Sequence, residues 1–133
     1  MAYPRRCYVD TNIVLPAIRF EGPDAALPKL AQHARKMRVP LVTSTLTRIE
    51  IRRILIREGI PISPSITNLF EGFDIVQFTD DIGELAARLP VMYLKTLDAI
   101  HLATAIMTEC DAVITQDRQL INACTQLGIA TTF

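Results

Sequence analysis

The chain has 133 residues, half of them apolar and 21% charged, a composition that builds one packed core and excludes disorder or a fibrous repeat. Fourteen Lys and Arg balance fourteen Asp and Glu, so net charge alone gives no support to nucleic-acid binding. Arg and Asp interrupt every hydrophobic stretch, which argues against a membrane span of roughly 20 apolar residues, and no apolar run precedes the first acid to act as a secretory leader.

The segment RRCYVD has a short apolar centre, Cys7-Tyr8-Val9, and ends in Asp10; it reads as a buried strand followed by a helix from Thr11 or Asn12 through Ile18. GPDAALPKLAQHARKM opens on Pro23-Asp24 and then spaces Leu27, Leu30, Ala31 and Ala34 as a helix does. Val39 to Val42 is short enough for a strand. Thr43 or Ser44 then caps a long helix, TLTRIEIRRILIREG, which Gly59 terminates. Pro61 and Pro64 flank a turn into a short helix from Ser65 to Phe70. A strand from Phe73 to Phe78 follows, then a helix capped by Thr79 or Asp80 that runs to Leu89 and stops at Pro90. Thr96 is expected to cap the helix LDAIHLATAIMTEC. Ala112 to Thr115 reads as a strand, Asp117 to Gln126 as a helix closed by Gly128, and Ile129 to Thr132 as a last short strand.

Short apolar strands separated by helices imply an α/β fold in three layers, with a central, mainly parallel sheet of about five strands flanked by helices. One domain over residues 1–133 is expected. Cys7, Cys110 and Cys124 are widely spaced with no CxxC pair, which fits reduced, buried cysteines in a cytoplasmic protein and neither a disulfide framework nor a zinc site.

In open parallel sheets, ligands bind beyond the carboxyl ends of the strands. Asp10 closes the first strand, and Asp117 lies two residues past the strand that ends at Thr115. Glu50 stands about a turn and a half into the helix capped near Ser44, and Asp98 falls in the first turn after Thr96. Four separate carboxylates are thereby directed toward one cleft. Like charges that close cannot all stay ionised cheaply, and a hard divalent cation is the natural neutraliser. Oxygen ligands suit Mg²⁺ or Mn²⁺, and such an ion on a phosphodiester could activate water and stabilise the leaving oxygen. Each acid also has a structural reading. Asp10 and Asp117 could cap helices, and Asp98 could offset a helix dipole. Glu50, flanked by Ile49 and Ile51, could pair with Arg52 or Arg53, although it is the hardest of the four to explain in that way.

At this point the chain resembles the PIN-domain family. YVDTNIVL is similar to its opening motif, VTSTLTRIEIRRIL to its second, LKTLDAIHLATAI to its third, and AVITQDRQLINACTQLGI to its closing pattern. Order, spacing and length resemble the toxin nucleases of the VapC type. The resemblance implies an endoribonuclease that depends on Mg²⁺ or Mn²⁺, with Asp10, Glu50, Asp98 and Asp117 as the metal-binding, catalytic acids. It implies that Thr11, Asn12 and Thr115 line the site and orient them, and that Ser44 caps the Glu50 helix. It implies a homodimer, an RNA substrate, and a small antitoxin whose inserted Arg or Lys pairs with the acids in place of metal. Gln116 departs from the aromatic common before the last Asp, and no terminal proline follows Phe133.

His101, one turn after Asp98, could line the site or shuttle a proton; a packed or hydrogen-bonded structural histidine is the preferred reading, and it stays outside the core set. His33 reads as solvated. Residues 1–57 carry eleven Lys or Arg against four Asp or Glu, and residues 58–133 three against ten. Arg48, Arg52, Arg53 and Arg57 share the Glu50 helix, where they could grip RNA phosphates or an acidic antitoxin segment; a solvated face that the acidic half neutralises is the plainer reading. Aromatics are few and Trp is absent, so base stacking is not a visible strategy. The rival function is a PIN-like module that binds RNA or protein without cutting. A phosphatase of the haloacid dehalogenase type would want a second Asp where Asn12 stands, and a phospho-receiver domain needs a pair of acids after the first strand.

Overall fold

Cys7, Tyr8 and Val9 are fully buried and form strand β1 (Cys7–Val9) at the centre of the computed structural model, which describes residues 4–18 and 26–132. Side chains alternate across a strand, so Cys7 and Val9 enter one core while Tyr8 enters the other. β2 (Leu41–Ser44), β3 (Phe73–Val76) and β4 (Ala112–Ile114) complete a sheet of order β3-β2-β1-β4, every pair parallel. Tyr8 is in register with Val42 on one side and Val113 on the other.

Helices cover both faces, as parallel strands require. On the Cys7 face lie α1 (Thr11–Ile18), α2 (Ala26–Met37) and α3 (Thr45–Glu58), which contribute Ile13, Val14, Leu27, Ile51 and Leu55. On the Tyr8 face lie α6 (Thr96–Met107) and α7 (Arg118–Gln126), which contribute Leu102, Ala105, Leu120 and Ala123. Between them in sequence are the short α4 (Pro64–Asn68) and α5 (Asp80–Arg88), the latter packed on α6. The three-layer α/β fold is the one expected. The Pro23-Asp24 opening of the second helix lies outside the described residues.

Several local expectations change. The sheet has four strands among the described residues, not five. After Gly128, whose φ of +73° turns the chain back, Ile129 bonds to Cys124, and only Ala130 reaches the sheet edge as one isolated bridge to Ala112. Thr96 does not cap α6: Lys95 holds the extended cap position and has no side-chain acceptor, so Asp98 in the first turn is left to complement the dipole. The short helix starts one residue earlier than expected, with Ser63 as cap accepting from Ile66 N–H and Pro64 in the first turn. Ser44, Thr79 and Asp117 cap α3, α5 and α7 through side-chain oxygens, and Gly59 ends α3 in the left-handed region.

All three cysteines are free and buried. Burial, helped by the charges of Asp111 and Cys110, pushes the Cys7 thiol up to about 12, and burial with Asp10 pushes Cys124 up to about 11. They are apolar fillers, not nucleophiles. Among the described residues no helix is long and apolar enough to cross a membrane. The chain leaves β1 toward β2 on one side, while β4 joins on the other. The crevice of such a sheet therefore opens at the carboxyl end of β1.

Candidate active site

Asp10 is the residue at that crevice. Its N–H continues the ladder to Ile114 O at 3.0 Å, and it is only 5% exposed. A buried carboxylate must be satisfied, and Asp10 is. Oδ1 accepts from Thr11 N–H at 2.8 Å, and Oδ2 accepts from Thr115 Oγ1 at 2.8 Å. Thr115 is the hub of the β4 side: its hydroxyl oxygen also accepts from Asp117 N–H at 3.0 Å and from Asn12 Nδ2 at 3.4 Å. Asn12 Oδ1 in turn accepts from Gln116 N–H at 3.2 Å. The loop after β4 is thus laced to the start of α1, and Asp117 is fixed relative to Asp10.

Glu50 enters from α3. Oε1 accepts from Thr11 Oγ1 at 2.9 Å and from His101 Nε2 at 2.7 Å. Burial works to raise its proton affinity, but the hydrogen bond and charge of His101, with the Thr11 hydroxyl, outweigh it and hold the carboxyl below its ordinary value. The same His101 nitrogen lies 3.7 Å from Asp10 Oδ1. His101 is therefore placed between two acids, a position that the sequence reading did not give it.

Asp98 and Asp117 complete the group from α6 and from the cap of α7. Asp117 spends one oxygen on its helix, with Oδ1 accepting from Leu120 N–H at 3.0 Å. Asp98 accepts no hydrogen bond from any described residue. Burial first, then the charges of Asp117, Asp10 and Glu50, push its carboxyl above the ordinary range, against a smaller opposite pull from His101. Asp98 thus feels all three other acids, which places the four carboxylates in one electrostatic neighbourhood.

The donor set fits a hard cation held loosely. It is all oxygen apart from His101, and Asp98 is a repelled carboxylate with no hydrogen-bond donor among the described residues. Among the described residues no three His, Cys, Asp or Glu side chains close into a ligand cage. Mg²⁺ does not require such a cage, since it keeps several waters and takes only one or two direct carboxylates. Among the described residues, Asp98, Asp117 Oδ2 and Glu50 Oε2 accept no hydrogen bond and are the oxygens open to such an ion, while both Asp10 oxygens already hold a donor.

Three residues of the neighbourhood escaped the sequence reading in this role: His101, Tyr8 and, beyond its cap, Ser44. Tyr8 Oη lies 2.6 Å from His101 Nδ1 and 2.9 Å from Ser44 Oγ. The available signal was a tyrosine in the middle of a buried strand, because a buried phenol needs a partner.

The comparisons with known proteins identify the fold and the family. Residues 7–125 match the PIN domain family. The chain is 38% identical over 92 residues to Ribonuclease VapC47 of Mycobacterium tuberculosis, covering 67% of this chain and 68% of that one. It is 32% identical over 130 residues to Ribonuclease VapC35 of the same organism, covering 92% and 93%. Among solved structures, VapBC2 from Rickettsia felis bound to a promoter DNA fragment superimposes with a TM-score of 0.71 at 15% identity over 96% of this chain and 97% of that one. A toxin–antitoxin complex from Klebsiella pneumoniae gives 0.65 at 24% identity over 86% and 89%. The family match over residues 7–125, with a relative 32% identical over 130 residues, shows that the chain belongs to the PIN-domain family.

Proposed function

We propose that the protein is an endoribonuclease dependent on Mg²⁺ or Mn²⁺ that hydrolyses RNA phosphodiesters, and that it is the toxin of a type II toxin–antitoxin pair. One observation carries the chemistry: Asp10, Glu50, Asp98 and Asp117 arrive from four different elements, and Asp98 is pushed toward neutrality by burial first and then by the charges of the other three. Such a cluster favours a proton or a cation among its carboxylates. Relatives named as VapC ribonucleases support RNA as the substrate.

A bound divalent ion would supply the charge that stabilises the phosphodiester during attack and would ease deprotonation of water. The chain's own contribution is placement. Thr115 and the Thr11 amide fix both oxygens of Asp10, Thr11 and His101 fix Glu50, and the α7 cap fixes Asp117. Asp98, with no partner of its own, is the acid most dependent on the ion.

We assign partners on the same footing. Solved toxin–antitoxin complexes of this fold support a small antitoxin, and the groove between α3 and α4, lined by Arg48, Arg52, Ile62, Ile66 and Phe70, suits an acidic, partly apolar segment of it. The expected homodimer is supported by Met92 and Tyr93, both more than four-fifths exposed.

The test is cleavage of a labelled single-stranded RNA with Mg²⁺ or Mn²⁺ and with chelator. Asp10→Asn or Asp98→Asn should lower the rate at least about 100-fold while the protein stays folded, since losing one essential group at a metal site has effects of this order. Metal-dependent cleavage at the wild-type rate in both variants would sink the proposal. The second reading, a PIN-like RNA- or protein-binding module without activity, is favoured by the lack of a closed ligand cage. Calorimetric titration with Mn²⁺ separates the two, because a module that binds no ion has no route to this reaction.

A further inference from the structure

The hydrogen bonds of Glu50 all fall on one oxygen. Oε1 accepts two of them, while no described residue donates to Oε2. We propose that His101, braced from behind by Tyr8 and Ser44, is a positioning residue that commits Glu50 Oε1 to the protein and leaves Oε2 as the single Glu50 oxygen available in the cleft. The inference rests on the reading of the four acids as an RNA-cutting site, and it deepens that reading by giving Glu50 a one-oxygen role.

The brace is a closed circuit. Ser44 caps α3 by accepting from Thr47 N–H at 3.3 Å, Tyr8 Oη meets Ser44 Oγ at 2.9 Å, and His101 Nδ1 meets Tyr8 Oη at 2.6 Å. His101 Nε2 then reaches Glu50 Oε1 at 2.7 Å, and Glu50 lies six residues along the helix that Ser44 caps. Every link but the last acid is shut away from water: Tyr8 is 0%, His101 1% and Ser44 3% exposed. The ring of His101 also packs on that of Tyr8, with centroids 5.7 Å apart. Moving Glu50 therefore disturbs α3, β1 and α6 together.

Proton counting makes the direction of the last link unambiguous. An ionised carboxylate can only accept, so His101 Nε2 carries the hydrogen. The single Tyr8 proton goes either to His101 Nδ1, with the ring neutral, or to Ser44 Oγ, with Nδ1–H donating to Tyr8 Oη and the ring an imidazolium; both arrangements leave Nε2–H aimed at Glu50. With Oε1 already holding two donors, Glu50 is poorly disposed to chelate an ion through both oxygens. A long acidic side chain that would otherwise sample many rotamers is held in one.

The test uses the full chain with His101→Leu, His101→Gln and Tyr8→Phe, read by RNA-cleavage kinetics in Mn²⁺ and by calorimetric Mn²⁺ titration. Partners that orient acids at metal sites are worth about 10–100-fold in metal affinity or activity. His101→Leu should lose that much in kcat or in Mn²⁺ affinity while KM for RNA stays within about twofold of wild type. His101→Gln, whose amide can donate from near the place of Nε2, should recover most of the loss, and Tyr8→Phe should fall between. A folded His101→Leu protein with wild-type kcat and Mn²⁺ affinity, altered only in melting temperature, overturns the proposal, as does a Gln variant no better than Leu. If His101→Leu does not fold, Tyr8→Phe decides by the same readouts. If the wild-type protein cuts no RNA, the ribonuclease reading fails by itself, and the Mn²⁺ titrations still decide whether His101 positions Glu50.

Discussion

Asp98 and Asp10 are both aspartates near the same crevice, yet their surroundings push them apart. Asp10 is the more buried, but two short donors satisfy it; Asp98 is half-buried, has no described donor and faces three other acids. Burial and like charge both favour the neutral form of Asp98. Neutralising it permanently should therefore stabilise the metal-free protein even as it removes activity. Relief of like-charge repulsion at a partly solvated site is worth about 0.5–1 kcal/mol, or roughly 2–5 °C in Tm for a domain of this size. Asp98→Asn should melt that much higher than wild type in chelator, with the gap narrowing or reversing when Mn²⁺ is added. A lower Tm in chelator would mean that Asp98 has a structural partner after all. The acids were legible because carboxylates in strand-end and helix-start positions have a recognisable order along the chain. His101 was not, because a histidine one turn after Asp98 looks the same whether it packs against aliphatics or meets Glu50 from another helix. Only the tertiary arrangement brings residue 50 to residue 101.

At the scale of elements, local chemistry was readable wherever one side chain does the work. Ser44, Thr79 and Asp117 cap their helices because a short oxygen-bearing side chain can bond an orphan N–H. Legibility failed where neighbours decide. Lys95 occupies the cap position of α6 although Thr96 beside it is the better capping residue, and the last expected strand makes one bridge because a single residue aligns with β4. Another tie went unread. Asp111, just before β4, accepts from Arg5 N–H at 2.9 Å and Arg6 N–H at 3.1 Å, and its own N–H donates to Arg6 O at 3.1 Å, so the entrances of β1 and β4 are pinned together. Slight burial raises its proton affinity, but the Arg5 and Arg6 amides outweigh this and hold the carboxyl below its ordinary value of 3.8. A lowered carboxyl stabilises the fold fully above the unfolded value and loses that contribution as pH falls through the folded one. Asp111→Asn should thus cost about 0.5–1 kcal/mol at neutral pH, the lower half of the capping range because the group is exposed. Chemical denaturation of the two proteins should converge as pH is lowered past 3.8 toward the folded value. A difference that stays constant over that range would show that charge plays no part in the tie.

Across the whole molecule, the basic and acidic halves do not simply lie side by side. β1 and β2 come from the basic half and β3 and β4 from the acidic half, and the sheet interleaves them, with Arg6 reaching Asp74 at 3.5 Å. Net charge is zero by composition, and the strand order brings the two signs together without removing local excess. On α3, Arg48, Arg52, Arg53 and Arg57 are exposed, while Glu50 is drawn inward by His101 and Thr11. Residues three and seven apart share a helix face, so Arg53 and Arg57 stand on the side of α3 that carries Glu50, beside the proposed cleavage site. Phosphate contacts release counterions, and for single strands each contributes about −0.7 to the slope of log K against log salt. If these two arginines each hold a phosphate, Arg53→Ala/Arg57→Ala should flatten that slope by about 1.4. Fluorescence anisotropy with single-stranded RNA would read it, using Asp98→Asn as the background so that binding is measured without cleavage. The affinity loss should be largest at low salt, where screening is weakest. An unchanged slope in the double variant would route the RNA away from this face of α3 and leave Arg48 and Arg52 to the groove proposed for an antitoxin, which they line with Phe70 and Ile66.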